Sequence, residues 1–177
     1  MDSEMGEGKM KSEILAFDPG KSIGWCRLVP PLEILESGTF HYKDYQTMTD
    51  LIRSLADVDT LVAEDFRLYP GKGDALAWDD LPAPQAIGML KVITWQEPYP
   101  KQIEFLMPSS KQSVPTDLLE EMNIDWHTPH ERDAIKLALF YSLFKMDYQQ
   151  HEEVQEVLRR WADARKRSGR ASRRSKL

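Results

Sequence analysis

Ile14-Leu15-Ala16-Phe17-Asp18-Pro19-Gly20 is four apolar residues running into an acid and then a Pro-Gly turn. A short apolar run bounded by a turn signal predicts a buried strand that ends at Asp18. The carboxylate then lies at the strand's C-terminal edge, and in α/β sheets that edge is where ligands bind. An Asp at a turn also has an ordinary use, because its side chain hydrogen-bonds nearby backbone.

Outward from this strand, residues 22–29 and 32–41 predict two further strands, joined by Pro30-Pro31. Residues 45–56 predict a helix, with Leu51, Ile52 and Leu55 at helical spacing. Leu61-Val62-Ala63 is a second buried-type strand, running into Glu64-Asp65. A loop rich in Gly, Pro and charge spans 67–84, and residues 85–95 are apolar with helical period. Residues 102–107 predict a strand, and 109–122 a polar helix or helix-loop that must absorb Pro115. A long helix is expected from His130 to about Tyr148, and a further one over 152–165. Three early strands, then helices alternating with single strands, imply an α/β fold with a mixed sheet. No internal repeat is present. The expected organisation is a flexible N-terminus over 1–13, one folded domain over 14–148, and a helical then basic, disordered tail over 149–177.

The chain has 177 residues, 41% hydrophobic and 10% aromatic, which excludes wholesale disorder. No apolar run approaches the ~18 residues of a membrane span, and residues 1–13 lack an apolar signal-peptide core. The single Cys26 makes no internal disulfide and excludes a Cys-based zinc cluster. A soluble cytoplasmic protein without a membrane partner is expected. The net charge of −6 is unevenly spread: residues 159–177 hold nine Lys/Arg and one acid, so an acidic body carries a basic tail. Such a tail either engages nucleic acid locally or is a solvated extension.

Three places carry candidate chemistry. Asp18 is the first. Glu64-Asp65 is the second, because a carboxylate at the end of so apolar a strand is costly unless it is paired or binds a metal. Strand alternation sends Glu64 and Asp65 to opposite faces, so only one of them joins Asp18. The third is Thr128-Pro129-His130-Glu131-Arg132-Asp133. Thr128 with Glu131 fits a capping box and Pro129 the first helical position. His130 and Asp133 then share one helix face, beside an apolar stripe of Ala134, Leu137, Ala138 and Tyr141. The plainer alternative has Asp133 balancing the helix dipole and His130 merely exposed. Together the three make an oxygen-rich site suited to Mg²⁺ or Mn²⁺. Two such ions, ~3.5–4 Å apart, activate water and stabilise the leaving oxygen in phosphodiester cleavage. Two other patterns fail. Gly20-Lys21-Ser22 lacks the earlier glycine of a phosphate-binding loop, Leu15 standing there, and His127 with His130 has no Cys or further His near in sequence.

In their order and spacing, four segments resemble the RuvC-type Holliday junction resolvases, particularly divergent phage-encoded ones, within the ribonuclease H-like superfamily. They are Ile14–Gly20 followed by Gly24-Trp25, then Val62-Ala63-Glu64-Asp65, Lys111-Gln112-Ser113-Val114, and His130-Glu131-Arg132-Asp133-Ala134. The resemblance covers residues 14–145. It implies a ribonuclease H-like fold with a five-stranded mixed sheet flanked by helices. It also implies Asp18, Glu64, His130 and Asp133 as ligands of two divalent ions, choosing Glu64 over Asp65, and Lys111 as a contact to the phosphate near the scissile bond. Gln85-Ala86-Ile87-Gly88 resembles the family's dimer helix, and Ala86 and Gly88 suit close helix approach, so a homodimer is expected. An aromatic near the glutamate, Phe66 or Tyr69, would reach into the junction. Arg67, Lys72 and the tail's Arg170, Arg173 and Arg174 would contact DNA phosphates. The turn after Gly20 is one residue shorter than in the bacterial enzymes, and the basic tail has no counterpart. The implied activity is metal-dependent cleavage of four-way or otherwise branched DNA, leaving a 5′-phosphate and a 3′-hydroxyl. The alternatives are a flap, fork or RNA–DNA hybrid nuclease, and a non-catalytic branched-DNA-binding protein.

Overall fold

A computed structural model describes residues 12–54, 58–66, 81–96 and 102–174. Strand β1 (Glu13–Asp18) lies at the centre of a five-stranded sheet of order β3-β2-β1-β4-β5. On one side it pairs antiparallel with β2 (Ser22–Val29), which pairs antiparallel with β3 (Glu33–His41). On the other it pairs parallel with β4 (Val58–Glu64), which pairs parallel with β5 (Gln102–Leu106). This is the mixed sheet expected from the sequence.

Helices cover both faces. Ile14, Ala16, Cys26, Leu28 and Val62 point to one face, where Ala134, Ile135, Leu137 and Ala138 of α4 (Pro129–Phe140) pack on them. Leu118 and Leu119 of α3 (Thr116–Glu121) and Val157 of α5 (Glu152–Arg174) complete that layer. Leu15, Phe17, Ile23, Leu61 and Ala63 point to the other face, under α1 (Tyr45–Ser54) and α2 (Pro82–Gln96). Cover on both sides is why β1 and β4 read as continuous apolar runs rather than alternating ones.

Pairing also settles the acid that alternation left open. Ala16 lies opposite Val62 in the β1–β4 register, and both face α4. Residues two apart on a strand share a face, so Asp18 and Glu64 emerge side by side beneath α4. Alternation sends Asp65 to the opposite face, and its backbone N–H donates to the Leu106 carbonyl at 2.7 Å.

Several boundaries differ from expectation for local reasons. Helix α2 starts earlier, at Pro82, because prolines are tolerated in a helix's first turn. The 109–122 segment splits at Pro115 into a 3₁₀ turn (Ser110–Ser113) and α3. Helix α4 stops at Phe140 and passes into a π turn (Tyr141–Lys145) instead of continuing to Tyr148. Helix α5 runs past Arg165 to Arg174, its Arg, Lys and Ala residues favouring the helix against Gly169. Among the described residues no helix is long and apolar enough to cross a membrane.

The first turn of α4 rests directly on β2 at Gly24, the residue opposite Asp18. A Cβ at Gly24 would overlap the His130 carbonyl and the Glu131 nitrogen, both backbone atoms that cannot rotate aside. Gly24→Ala is therefore expected to lower stability by about 2–3 kcal/mol through overpacking. Urea unfolding of the two proteins measures the difference, and an unchanged midpoint would show that α4 does not need this close approach.

Candidate active site

Four elements bring their ends together at one edge of the sheet. Asp18 closes β1 and is only 5% exposed. Glu64 closes β4. His130 and Asp133 come from the start of α4, whose Thr128 cap accepts the Glu131 N–H at 3.1 Å. Lys111 comes from the 3₁₀ turn that follows β5. The five residues singled out for catalysis from the sequence thus lie in one cluster.

Lys111 is its centre. Its Nζ lies 2.9 Å from Asp18 Oδ1, 2.7 Å from Glu64 Oε2 and 3.0 Å from Asp133 Oδ2. His130 Nδ1 lies 2.8 Å from the other Asp18 oxygen, Oδ2. Arg132 donates to Asp133 Oδ1 from Nη2 at 3.0 Å and from Nε at 3.2 Å.

Burial and charge compete in these groups. Burial disfavours the Lys111 ammonium, but its hydrogen bond to Glu64 and the Asp18 and Asp133 partners outweigh this and hold its pKa above the ordinary lysine range. Burial pushes Glu64 up, and Lys111 only partly opposes it. Burial also works against the Asp133 carboxylate, yet Lys111 and Arg132 pull it below the usual aspartate value. Asp18, with an oxygen engaged on each side, links the lysine to the histidine.

Three carboxylates and one imidazole are the donor set of a hard or borderline divalent cation. Glu64 Oε2 is buried and its close partner is the Lys111 ammonium at 2.7 Å, so the oxygen sits against a cation. The described residues include no group of three His, Cys, Asp or Glu side chains arranged to hold a metal ion. The donor chemistry fits Mg²⁺ or Mn²⁺, and the positive charge that gathers the carboxylates here is the ammonium. The Lys111 Nζ is turned onto the acids, within 3.0 Å of Asp18, Glu64 and Asp133.

The other residues named from the sequence fall elsewhere. Phe66 is half-buried two residues past Glu64. Arg67, Tyr69 and Lys72 lie outside the described residues. Arg170, Arg173 and Arg174 lie on the last turns of α5, where only the backbone is described. Ala86 is fully buried in the core beneath α2, and Ile87 is nearly fully buried. The outward edge of α2 is Gly88, Val92 and Trp95, with Trp95 86% exposed.

Sequence reasoning used Glu131 only as a cap. The residue is buried, and its carboxylate accepts from Ser37 Oγ of β3 at 2.7 Å and from the His127 N–H at 2.8 Å. It therefore pins the start of α4 across the sheet to β3, and with it the positions of His130 and Asp133. The Thr128–Glu131 spacing was the available signal, but the Ser37 partner is 94 residues away in sequence. Arg132 was likewise not singled out.

Solved structures share the fold. Thermus thermophilus RuvC in complex with a Holliday junction substrate matches with a TM-score of 0.58 at 14% identity, over 77% of this chain and 96% of that one. A second Thermus thermophilus RuvC structure matches with a TM-score of 0.56 at 12% identity, over 76% and 96%. No family model and no curated protein matches the sequence. The chain has the ribonuclease H-like fold of RuvC.

The Glu131 anchor has a pH signature. Burial works against its carboxylate, but bonds from His127 and Ser37 hold its pKa below the ordinary 4.5. A depressed pKa contributes stability that is complete above the unfolded value and lost as pH falls through the folded one. Glu131→Gln is expected to cost about 1–2 kcal/mol at pH 7, because the charged acceptor is lost. Thermal unfolding across a pH series should show this gap constant above about pH 5 and shrinking below 4.5. A gap that widens in acid would contradict the anchor.

Proposed function

We propose that the chain is a divalent-metal-dependent endonuclease of branched DNA, with the four-way junction as its substrate. The observation that carries this is the convergence of Asp18, Glu64, Asp133 and His130 about one cationic centre at the C-terminal sheet edge. The fold shared with RuvC, whose structure holds a Holliday junction substrate, supports the choice of substrate.

In this reading Asp18, Glu64, His130 and Asp133 hold Mg²⁺ or Mn²⁺, two ions per site. Bound there, the ions supply an activated water and charge stabilisation for phosphodiester hydrolysis that leaves a 5′-phosphate and a 3′-hydroxyl. The chain's own residues do the positioning. Asp18 Oδ2 orients the His130 ring through Nδ1. Arg132 fixes Asp133 Oδ1 and leaves Oδ2 turned to the centre. Lys111 supplies a positive charge that neutralises the phosphate. Phe66, beside Glu64, faces the branch point, with Tyr69 the alternative. Residues 14–148 form the catalytic domain and 149–177 an appended basic arm. Arg67, Lys72, Arg170, Arg173 and Arg174 contact the phosphate backbone. Two copies, meeting at the α2 edge of Gly88, Val92 and Trp95, would present two sites to the two symmetric strands of a junction.

The test is cleavage of a labelled four-way junction, beside fork and linear duplexes, in Mg²⁺ or Mn²⁺. Symmetric paired nicks on the junction alone are expected. Asp18→Asn and Glu64→Gln should each cut about 10²–10³-fold more slowly or worse, the scale of losing a group that stabilises transition-state charge, while still binding the junction. Equal cutting of all branches would make the protein a general flap or fork nuclease. Tight binding without cutting would make it a non-catalytic binder.

The arm has its own readout. Deleting residues 169–177 removes Arg170, Arg173, Arg174 and Lys176. The slope of log affinity against log salt should shrink by up to ~0.9 for each phosphate that the arm no longer neutralises. An unchanged slope would remove the arm from the DNA interface.

A further inference from the structure

We propose that Lys111 and the divalent cation share one seat, so that metal enters only as the Lys111 ammonium swings out from between Asp18, Glu64 and Asp133. The inference rests on the metal-dependent reading above and concerns how that site is filled.

The distances carry the argument. Three carboxylate oxygens stand 2.7–3.0 Å from one nitrogen, the spacing of charge-assisted hydrogen bonds. A Mg²⁺ ion needs oxygens at ~2.0–2.1 Å, so it would draw the same three oxygens inward onto the space the ammonium fills. Two positive charges inside one triangle of oxygens repel strongly in a half-buried site. Among the described residues, Arg132 pairs with Asp133, where Lys136 adds a further charge, and the His130 ring meets Asp18, while the ion-pair partner of Glu64 is Lys111. Without Lys111 or a metal, three partly buried carboxylates would face one another.

The means of exit is local. Lys111 lies on a four-residue 3₁₀ turn anchored by buried Val114, while its neighbours Gln112 and Ser113 are exposed. Its four-carbon stem can rotate outward without moving that anchor. The displaced ammonium then faces the mouth of the site, where a DNA phosphate takes the place of the carboxylates as its partner. Lys111 is thus an internal counter-ion before metal loading and a phosphate contact afterwards.

Calorimetric titration with Mg²⁺, in the absence of DNA, compares the wild type with Lys111→Met. If the ammonium fills the seat in nine molecules of ten or more, apparent affinity is reduced by the open fraction, so the variant should bind at least about tenfold more tightly. Its melting temperature in EDTA should fall below that of the wild type. In the wild type, NMR of lysine ¹³Cε, with Lys111 assigned by its absence from Lys111→Arg, should show that signal moving to a solvent-exposed position as Mg²⁺ saturates. Equal Mg²⁺ affinities with a static Lys111 signal would overturn the shared seat and leave the metal site standing. No Mg²⁺ or Mn²⁺ binding by either protein would overturn both. Should Lys111→Met not fold, the wild-type NMR titration decides: a shift supports the shared seat and a static signal at saturation overturns it.

Discussion

Three carboxylates crowded at one edge of a sheet repel one another unless a cation stands among them. Here the cation is Lys111, held within 3.0 Å of Asp18, Glu64 and Asp133. The surrounding architecture brings these groups to one point. Parallel pairing of β1 with β4 puts two acids on the same face. Helix α4 brings the third, and the turn after β5 brings the lysine. Separating any one of these elements from the others would leave a half-buried charge unpaired, so the site and the fold are stabilised by the same contacts.

Precision at the site comes from the seating of α4. Its apolar stripe fixes the helix against the sheet, but a stripe alone allows rotation and sliding. Gly24 lets the first turn touch β2, the Thr128 cap sets where the helix begins, and Glu131 ties that turn to Ser37 on β3. Three constraints from different directions leave His130 and Asp133 little freedom. Functional groups held on helices and strands in this way are positioned more accurately than groups on loops.

The fold is shared with RuvC at 12–14% identity, and at that distance a shared fold does not carry a shared activity. What favours nuclease chemistry is the local donor set: oxygen-rich, anionic, gathered about one positive charge, and placed where α/β sheets bind ligands. Helix α5 packs on the α4 side of the sheet. It docks through Val154, Val157 and Trp161, then continues as a basic helix, so positive charge is carried on an ordered backbone to Arg174.

Signals acting over a few residues were legible in the sequence. The apolar run into Asp-Pro-Gly marked β1, the Thr-Pro-x-Glu pattern marked the start of α4, and the resulting strand and helix ends named Asp18, the Glu64-Asp65 pair, His130 and Asp133 as candidates. Pro115 announced a break, and the break is there. Interactions spanning long separations were not legible. Alternation along β4 could not choose Glu64 over Asp65, because the choice depends on register with β1, a property of two strands. Lys111 meets Asp18 across 93 residues and His130 meets it across 112. The lysine's inward turn, the need for glycine at position 24 and the Ser37 anchor all arise from chain segments that touch only once the sheet has formed. Turn chemistry, capping and periodicity are local free energies and can be read along the chain. The balance of charges within the site depends on three-dimensional proximity, and only the tertiary structure decided it.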